Sequence, residues 1–304
     1  MNLSAAERRW LPWWGNTGKL AMRWATLLNR ELSESLEQSF EGFAQTRVRL
    51  LQQWVEDCWQ QMSSLADDCG DAAPYLSRHV LREKRELARD FSEIFVLSAD
   101  GVVLESTRPE RVGARDLPRE AVAMGLKAPF LHGPCIDPVT ATLPPSTSTF
   151  HDAVTLMFYH PLIRDGRVLG AVCGRVPNDV VGDLIQREAG HIFKDSGDNY
   201  LFMVQSNFDP RIAPGTALSR SRFEDSTFSL GDNLKQGVRT AFGVVRVNHH
   251  TELELMFTDP ATGQLHPGVR ETIRHGQNLF VRYPGYADYR HIPVIGKGVT
   301  FSLK

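Results

Sequence analysis

"GRVLGAVCGRVPND", residues 166–179, decides how the chain is read. It is a turn glycine, one strand, then the first turn of a helix. Period two along the strand sets Cys173 and Arg175 on one face and Val172, Gly174 and Val176 on the other. A thiol and a guanidinium therefore share a face of a strand that otherwise reads as buried. Upstream, "TFHDAVTLMFYHPLI" (149–163) is a strand, and the Arg-Asp-Gly turn at 164–166 joins the two as a hairpin.

The same signal occurs earlier in "FSEIFVLSADGVVLES" (91–106), a strand, an Asp-Gly turn and a second strand. Before it, residues 31–68 carry Leu32, Leu36, Phe40, Phe43, Leu50, Trp54, Cys58, Met62 and Leu65 at threes and fours. That spacing predicts one long amphipathic helix. "DDCGDAAPY" (67–75) supplies stop signals, and "SRHVLREKRELARD" (77–90) restarts a helix with Ser77 as N-cap. Between the hairpins lie a loop and short helix, "RPERVGARDLPREAVAMGLK" (108–127), and a loop, "APFLHGPCIDPVTATLPPSTS" (128–148). A helix at 177–193 follows, and the pattern restarts. "NYLFMVQSN" (199–207) reads as a strand, "SLGDNLKQGV" (229–238) as helical, and "GVVRVNHHTELELMF" (243–257) and "IPVIGKGVTFSL" (292–303) as strands. "YPGYADYR" (283–290) reads as a loop. The order gives an α+β fold, a long N-terminal helix packed on two mixed units with antiparallel sheets. The boundaries are a polar extension over 1–30, the helices over 31–91, a first unit over 92–180 and a second over 181–304.

The 304 residues are 42% hydrophobic and 23% charged, an ordinary globular balance, and the net charge of −2 gives no pull toward nucleic acid. No apolar run is long enough for a membrane span and no export signal is read, so a cytoplasmic location is expected. The tryptophan cluster Trp10, Trp13 and Trp14 reads as a tail that packs on the body, with contact to a membrane surface or a partner as the alternative. The four cysteines, Cys58, Cys69, Cys135 and Cys173, match no zinc-finger spacing. Nucleophile-elbow, P-loop, HExxH and dinucleotide motifs are absent, and no enzyme activity is expected.

The ordered series of elements resembles the double Cache (dCache) sensor domain of bacterial methyl-accepting chemotaxis proteins and related signalling receptors. The matching pieces are the long first helix, "IFVLSADGVVLEST", "VGARDLPRE", "GPCIDPVTATL", "HPLIRDGRVLGAVCGRV" and a second module closing with "YADYRHIPVIGKGVTF". The resemblance covers residues 31–304. It implies two PAS-like modules beside the long helix and a small-molecule ligand in the first. It also implies a sensory, non-enzymatic role in chemotaxis signal transduction and a downstream signalling module outside this chain. A homodimer paired through the less strictly apolar N-terminal half of the long helix is expected. Members sit between two membrane helices, which leaves a periplasmic fragment of a receptor as the alternative location.

Amino-acid-binding members carry R-x-W-Y on the pocket helix and an acid on the last strand. Here "REAV" keeps Arg119 without the aromatics, and Arg175 stands in the acidic position. Two arginines favour an anionic ligand through two-pronged contacts. The candidate ligand set is Arg119, His132, Asp137, Ser146, Ser148, His151 and Arg175. The alternative is that Arg175 pairs internally with Asp137 or Asp152. A second function stays open, a redox, iron–sulfur or other thiolate-bound metal sensor using Cys135 and Cys173 with help from Cys58 or Cys69. Cys58 and Cys69 lie eleven residues apart, about 16 Å along an intact helix, and read as core. No cofactor is firmly expected. A third reading is an interaction scaffold with empty modules. His160 and the His249–His250 pair read as surface or satisfied side chains.

Overall fold

A computed structural model describes residues 15–69, 78–144, 153–186, 204–212 and 218. In the C-terminal third it describes 238–240, 243–245, 247–249, 252–253, 272, 275–287 and 293–303. Helix α1 spans Gly15–Asp67 and α2 spans Arg78–Leu87. Strands β1 (Glu93–Ser98) and β2 (Val103–Ser106) form the first hairpin. After a short 3-10 turn at Pro109–Arg111 come α3 (Arg119–Gly125), β3 (Phe130–Ile136) and α4 (Pro138–Thr142). Strands β4 (Val154–Arg164) and β5 (Arg167–Pro177) form the second hairpin, and α5 (Asp179–Gln186) follows.

The five strands make one antiparallel sheet in the order β2-β1-β5-β4-β3, with β5 at its centre. Asp165 and Gly166, at φ 51° and 74°, close the β4–β5 hairpin with Arg164 opposite Arg167. Two successive positive φ angles define the tight turn whose twist suits a hairpin, and the Asp-Gly pair tolerates them. Alternation along β5 is as read. Val172 and Val176 enter one core with the α1 residues Leu51, Trp54, Val55, Cys58, Met62 and Leu65. Ala171 and Cys173 enter a second core with Phe95, Leu97, Met157, Tyr159 and the α3 residues Ala121 and Val122. The sheet is thus a layer between the long helix and α3. Around Phe158, the rings of Trp54, Trp59 and Phe91 pack edge-on at 4.9–6.2 Å.

Several expectations are corrected. The helix begins at Gly15 rather than at residue 31, so the expected polar extension is helical from that point. The expected loop 128–148 contains β3 and α4. Gly133 and Pro134 disguise β3 in the sequence. An irregularity between His132 and Cys135 absorbs them, which an edge strand tolerates. Of the expected strand "NYLFMVQSN", residues 204–207 are irregular, because Ser206 Oγ accepts the Asp209 N–H at 3.0 Å and turns the chain. The expected "YPGYADYR" loop is in strand through Ala287, as part of the strand Leu279–Ala287, where a register shift between Val281 and Tyr286 takes up the Pro-Gly pair.

In the second unit the described strands form three two-stranded antiparallel ladders. These are β6 (Val238–Thr240) with β7 (Gly243–Val245), β8 (Val247–His249) with β9 (Glu252–Leu253), and β10 (Leu279–Ala287) with β11 (Pro293–Gly298). The last pair docks on the N-terminal half of α1. Phe40 meets Phe280 at 6.0 Å, and Lys297 Nζ pairs with Glu41 at 2.6 Å. Ser77 and the expected segment 229–237 lie outside the described residues. Among the described residues no helix is long and apolar enough to cross a membrane.

Gly174 lets β5 approach the helix layer. A Cβ there would lie 2.3 Å from Phe91 Cε1 and 3.0 Å from Met62 Sδ, both side chains being buried. Gly174→Ala is expected to destabilise the fold by about 1–3 kcal/mol. Urea unfolding checks this through a lower midpoint with an unchanged slope.

Candidate functional site

The face of the sheet turned away from α1 is apolar at one end and charged at the other. Arg175, near the end of β5, is fully buried on that face. Its direct cross-strand partner is Glu93, the first residue of β1 and also fully buried. Arg175 Nε donates to Glu93 Oε2 at 3.0 Å, and Nη1 donates to Asp137 Oδ2 and, at 3.0 Å, to Thr140 Oγ1. Glu93 Oε1 accepts the Ser106 hydroxyl at 2.8 Å and faces Arg111 Nε at 3.4 Å. Arg111 closes a two-pronged pair on Asp116, with Nη2 to Oδ1 at 2.8 Å and Nη1 to Oδ2. The five charges alternate without a break as Asp116, Arg111, Glu93, Arg175 and Asp137.

Local structure positions both ends of this row. Asp137 is the N-cap of α4, and its Oδ1 accepts the Val139 N–H at 3.0 Å while Oδ2 serves Arg175. The hydrogen bond from Arg111, followed by its charge, holds the Asp116 carboxyl below the usual range and raises the Arg111 guanidinium in turn. Exposure of Asp116, 38%, weakens that pair by solvent screening. Thr155 Oγ1 donates to Thr140 Oγ1 at 2.6 Å and ties α4 to β4.

Three polar atoms here are buried without a hydrogen-bond partner among the described residues: Arg175 Nη2, Arg111 Nε and the Tyr159 hydroxyl. Burial raises the Tyr159 phenol well above its ordinary range, and it lies within electrostatic reach of Cys173, Arg175, Cys135 and Asp137.

The structure assembles part of the expected ligand set. Arg175 and Asp137 meet, so the internal pairing held open from the sequence is present. Arg119 is exposed in the first turn of α3. His132 is buried beside Phe208, at 5.2 Å between rings, and its Nδ1 lies 3.5 Å from Cys135 Sγ. Burial lowers its pKa and favours the neutral ring. Ser146, Ser148 and His151 lie outside the described residues. Glu93, Arg111, Asp116, Thr140 and Tyr159 were missed. Alternation along 93–97 places Glu93 on the face of Phe95 and Leu97, which is the signal the sequence carries.

The cysteines do not form one site. Cys58 and Cys69 pack in the core on the α1 side of the sheet, and Cys173 in the core on the other side. The sheet separates the two groups, which corrects the expectation that Cys58 or Cys69 helps Cys173. Burial raises all four thiols, Cys135 to about 12 and Cys69 to about 11, which favours the unreactive thiol. No group of three or more metal-ligating side chains occurs among the described residues.

Next to the site, residues 206–212 cap the sheet edge. Asp209 Oδ2 accepts the Ile136 N–H at 2.8 Å and Arg211 Nη2 donates to the Ile136 carbonyl at 2.9 Å. The edge residue thus has both backbone groups satisfied by side chains.

Solved structures similar to this chain include sensory and ligand-binding domains of chemoreceptors. One is the sensory domain of the Campylobacter jejuni chemoreceptor Tlp3 with isoleucine bound, at 11% identity and a TM-score of 0.46 over 66% of this chain and 76% of that one. Another is the ligand-binding domain of the Pseudomonas aeruginosa PAO1 amino acid chemoreceptor PctB in complex with L-Arg, at 15% identity and a TM-score of 0.42 over 72% of this chain and 92% of that one. No family model and no curated protein matches the chain.

Glu93→Leu and Arg175→Met are each expected to cost about 3–5 kcal/mol, because each strands a buried opposite charge, and the double variant much less than their sum. Denaturant unfolding of the four proteins in a double-mutant cycle checks this. Asp209, held at about 2 chiefly by its hydrogen bond from Arg211, contributes stability above its unfolded pKa that is lost as pH falls through its folded one. The loss falls between about pH 4 and pH 2, on the order of 1–2 kcal/mol, and Asp209→Asn is expected to flatten it in thermal unfolding across that range.

Proposed function

We propose that the chain is the sensory ligand-binding domain of a chemoreceptor-type signal transduction protein, and that its ligand sits against the charged end of the sheet in the first unit. The observation that carries this is the set of unpartnered buried atoms around Arg175. Native proteins leave few such atoms without a protein, water or ligand partner. A small molecule bringing an acceptor to Arg175 Nη2 and to the Tyr159 hydroxyl satisfies two of them.

The charge balance refines the ligand. Two guanidiniums face three carboxylates, so the row carries one net negative charge, and both positive groups are already paired. A multiply charged acid would compete with Glu93 and Asp137 for Arg175. A neutral or zwitterionic polar ligand with one good acceptor fits better than the anion expected from the sequence.

We also propose that the domain pairs with a second copy through α1. Leu36, Phe43 and Leu50 are exposed at 40%, 53% and 40% and recur every seven residues, with exposed Ser39 and Thr46 between them. That is the 3-4 spacing of a helix–helix seam, and it continues the stripe that further along α1 enters the core as Trp54, Met62 and Leu65.

Thermal-shift screening with zwitterionic amino acids, neutral amides and di- and tricarboxylates tests the ligand site. Stabilisation by a member of the first two groups is expected, with Tyr159→Phe weakening it about tenfold. A wild-type protein indifferent to every compound would sink the reading. Sedimentation equilibrium tests the seam, where a wild-type dimer that Phe43→Asp converts to monomer is expected and a monomeric wild type is the opposite result.

A further inference from the structure

Helix α2 packs on β1 and β2, away from the row of charges described above, with Leu81 and Ala88 in the core. The helix and the turn after it, 78–90, carry five basic residues (Arg78, Arg82, Lys84, Arg85 and Arg89) against three acidic ones (Glu83, Glu86 and Asp90). Arg82 and Arg85 share one helical stripe, and Arg89 lies in the turn that follows the helix. Arg82 and Arg89 are exposed, and Arg85 between them is half-buried.

Arg108, just beyond β2, is held in a fixed place. Its backbone N–H donates to Ser106 Oγ at 2.9 Å and its Nε donates to the Ser92 carbonyl at 3.3 Å. Its Nη2 is buried without a hydrogen-bond partner among the described residues, and so is Arg85 Nε. The neighbouring cations are paired, Lys84 with Asp68 at 2.8 Å and Arg111 with Asp116 and Glu93. Arg85 and Arg108 form no ion pair among the described residues. Burial, followed by the charge of Arg108, holds the Arg85 guanidinium below its usual range. Two like charges with enclosed, unused N–H groups repel each other. An anion with several acceptor oxygens removes both costs at once, and guanidinium geometry suits a tetrahedral oxyanion.

We propose that Arg85 and Arg108 form a second binding site, at the β2 edge of the sheet, for a phosphate-type oxyanion. Exposed Arg82 and Arg89 strengthen the positive field around it. The oxyanion belongs either to free phosphate or to a phospholipid headgroup, and the two sources separate by experiment.

Titration calorimetry of the whole chain with inorganic phosphate in chloride buffer, and co-sedimentation with phosphatidylcholine vesicles with and without phosphatidic acid, make the test. Saturable phosphate binding that Arg85→Gln and Arg108→Gln each weaken about tenfold is expected. Phosphate binding without vesicle binding identifies the free ion. Vesicle binding that needs phosphatidic acid and is displaced by phosphate identifies a headgroup. Without phosphate, Arg85→Gln is expected to melt at or above the wild-type temperature because it relieves repulsion. Absence of both kinds of binding, unchanged binding in both variants, or a lower melting temperature with an unchanged phosphate response overturns the proposal.

Discussion

The Glu93–Arg175 contact between β1 and β5 organises this domain. Both side chains are fully buried and stand directly opposite each other, where hydrophobic pairing would be the simpler choice. Taking two such ions out of water costs several kcal/mol each, so the pair needs further partners to persist. Glu93 takes Ser106 and Arg111, while Arg175 takes Asp137 and Thr140. These four partners come from three different segments. One buried pair therefore fixes where β2, the turn after it and α4 stand relative to the centre of the sheet.

The excess negative charge is placed where it costs least. The middle of the row, Glu93, Arg175 and Arg111, is 0–10% exposed, whereas the end carboxylates Asp137 and Asp116 are 19% and 38% exposed. Water solvates the surplus at the ends, and the dry middle alternates in sign. Replacing such a network by apolar groups is often neutral for stability, so stability alone is a weak reason to keep it.

Much of the first unit was legible because local signals agreed with tertiary structure. The Asp-Gly turns fixed two hairpins, and alternation in 166–176 assigned both faces of β5 correctly. Burial of α1 follows its apolar spacing through Trp54, Cys58, Met62 and Leu65. Failures came where tertiary contacts override local pattern. Strand β3 carries Gly133 and Pro134 and still pairs with β4. Arg111 and Asp116 sit in a segment with no periodicity, and only the folded chain brings them to Glu93. The resemblance pointed to Arg175 as the unusual residue of the site, but the carboxylates that neutralise it lie 82 and 38 residues away in sequence.

The site and the start of the second unit meet at one strand end. Asp137, which holds Arg175, directly follows Ile136, whose N–H and C=O are taken by Asp209 and Arg211. Phe208, beside Asp209, packs on His132 and Phe130 of the same strand. A displacement of Asp137 cannot leave Ile136 in place, because the peptide between them is planar and short. It must strain the Asp209–Arg211 cap or carry it along. Protection of the strand edge and the anchoring of residues 208–211 on it are therefore the same set of contacts, one residue from the charged end of the sheet.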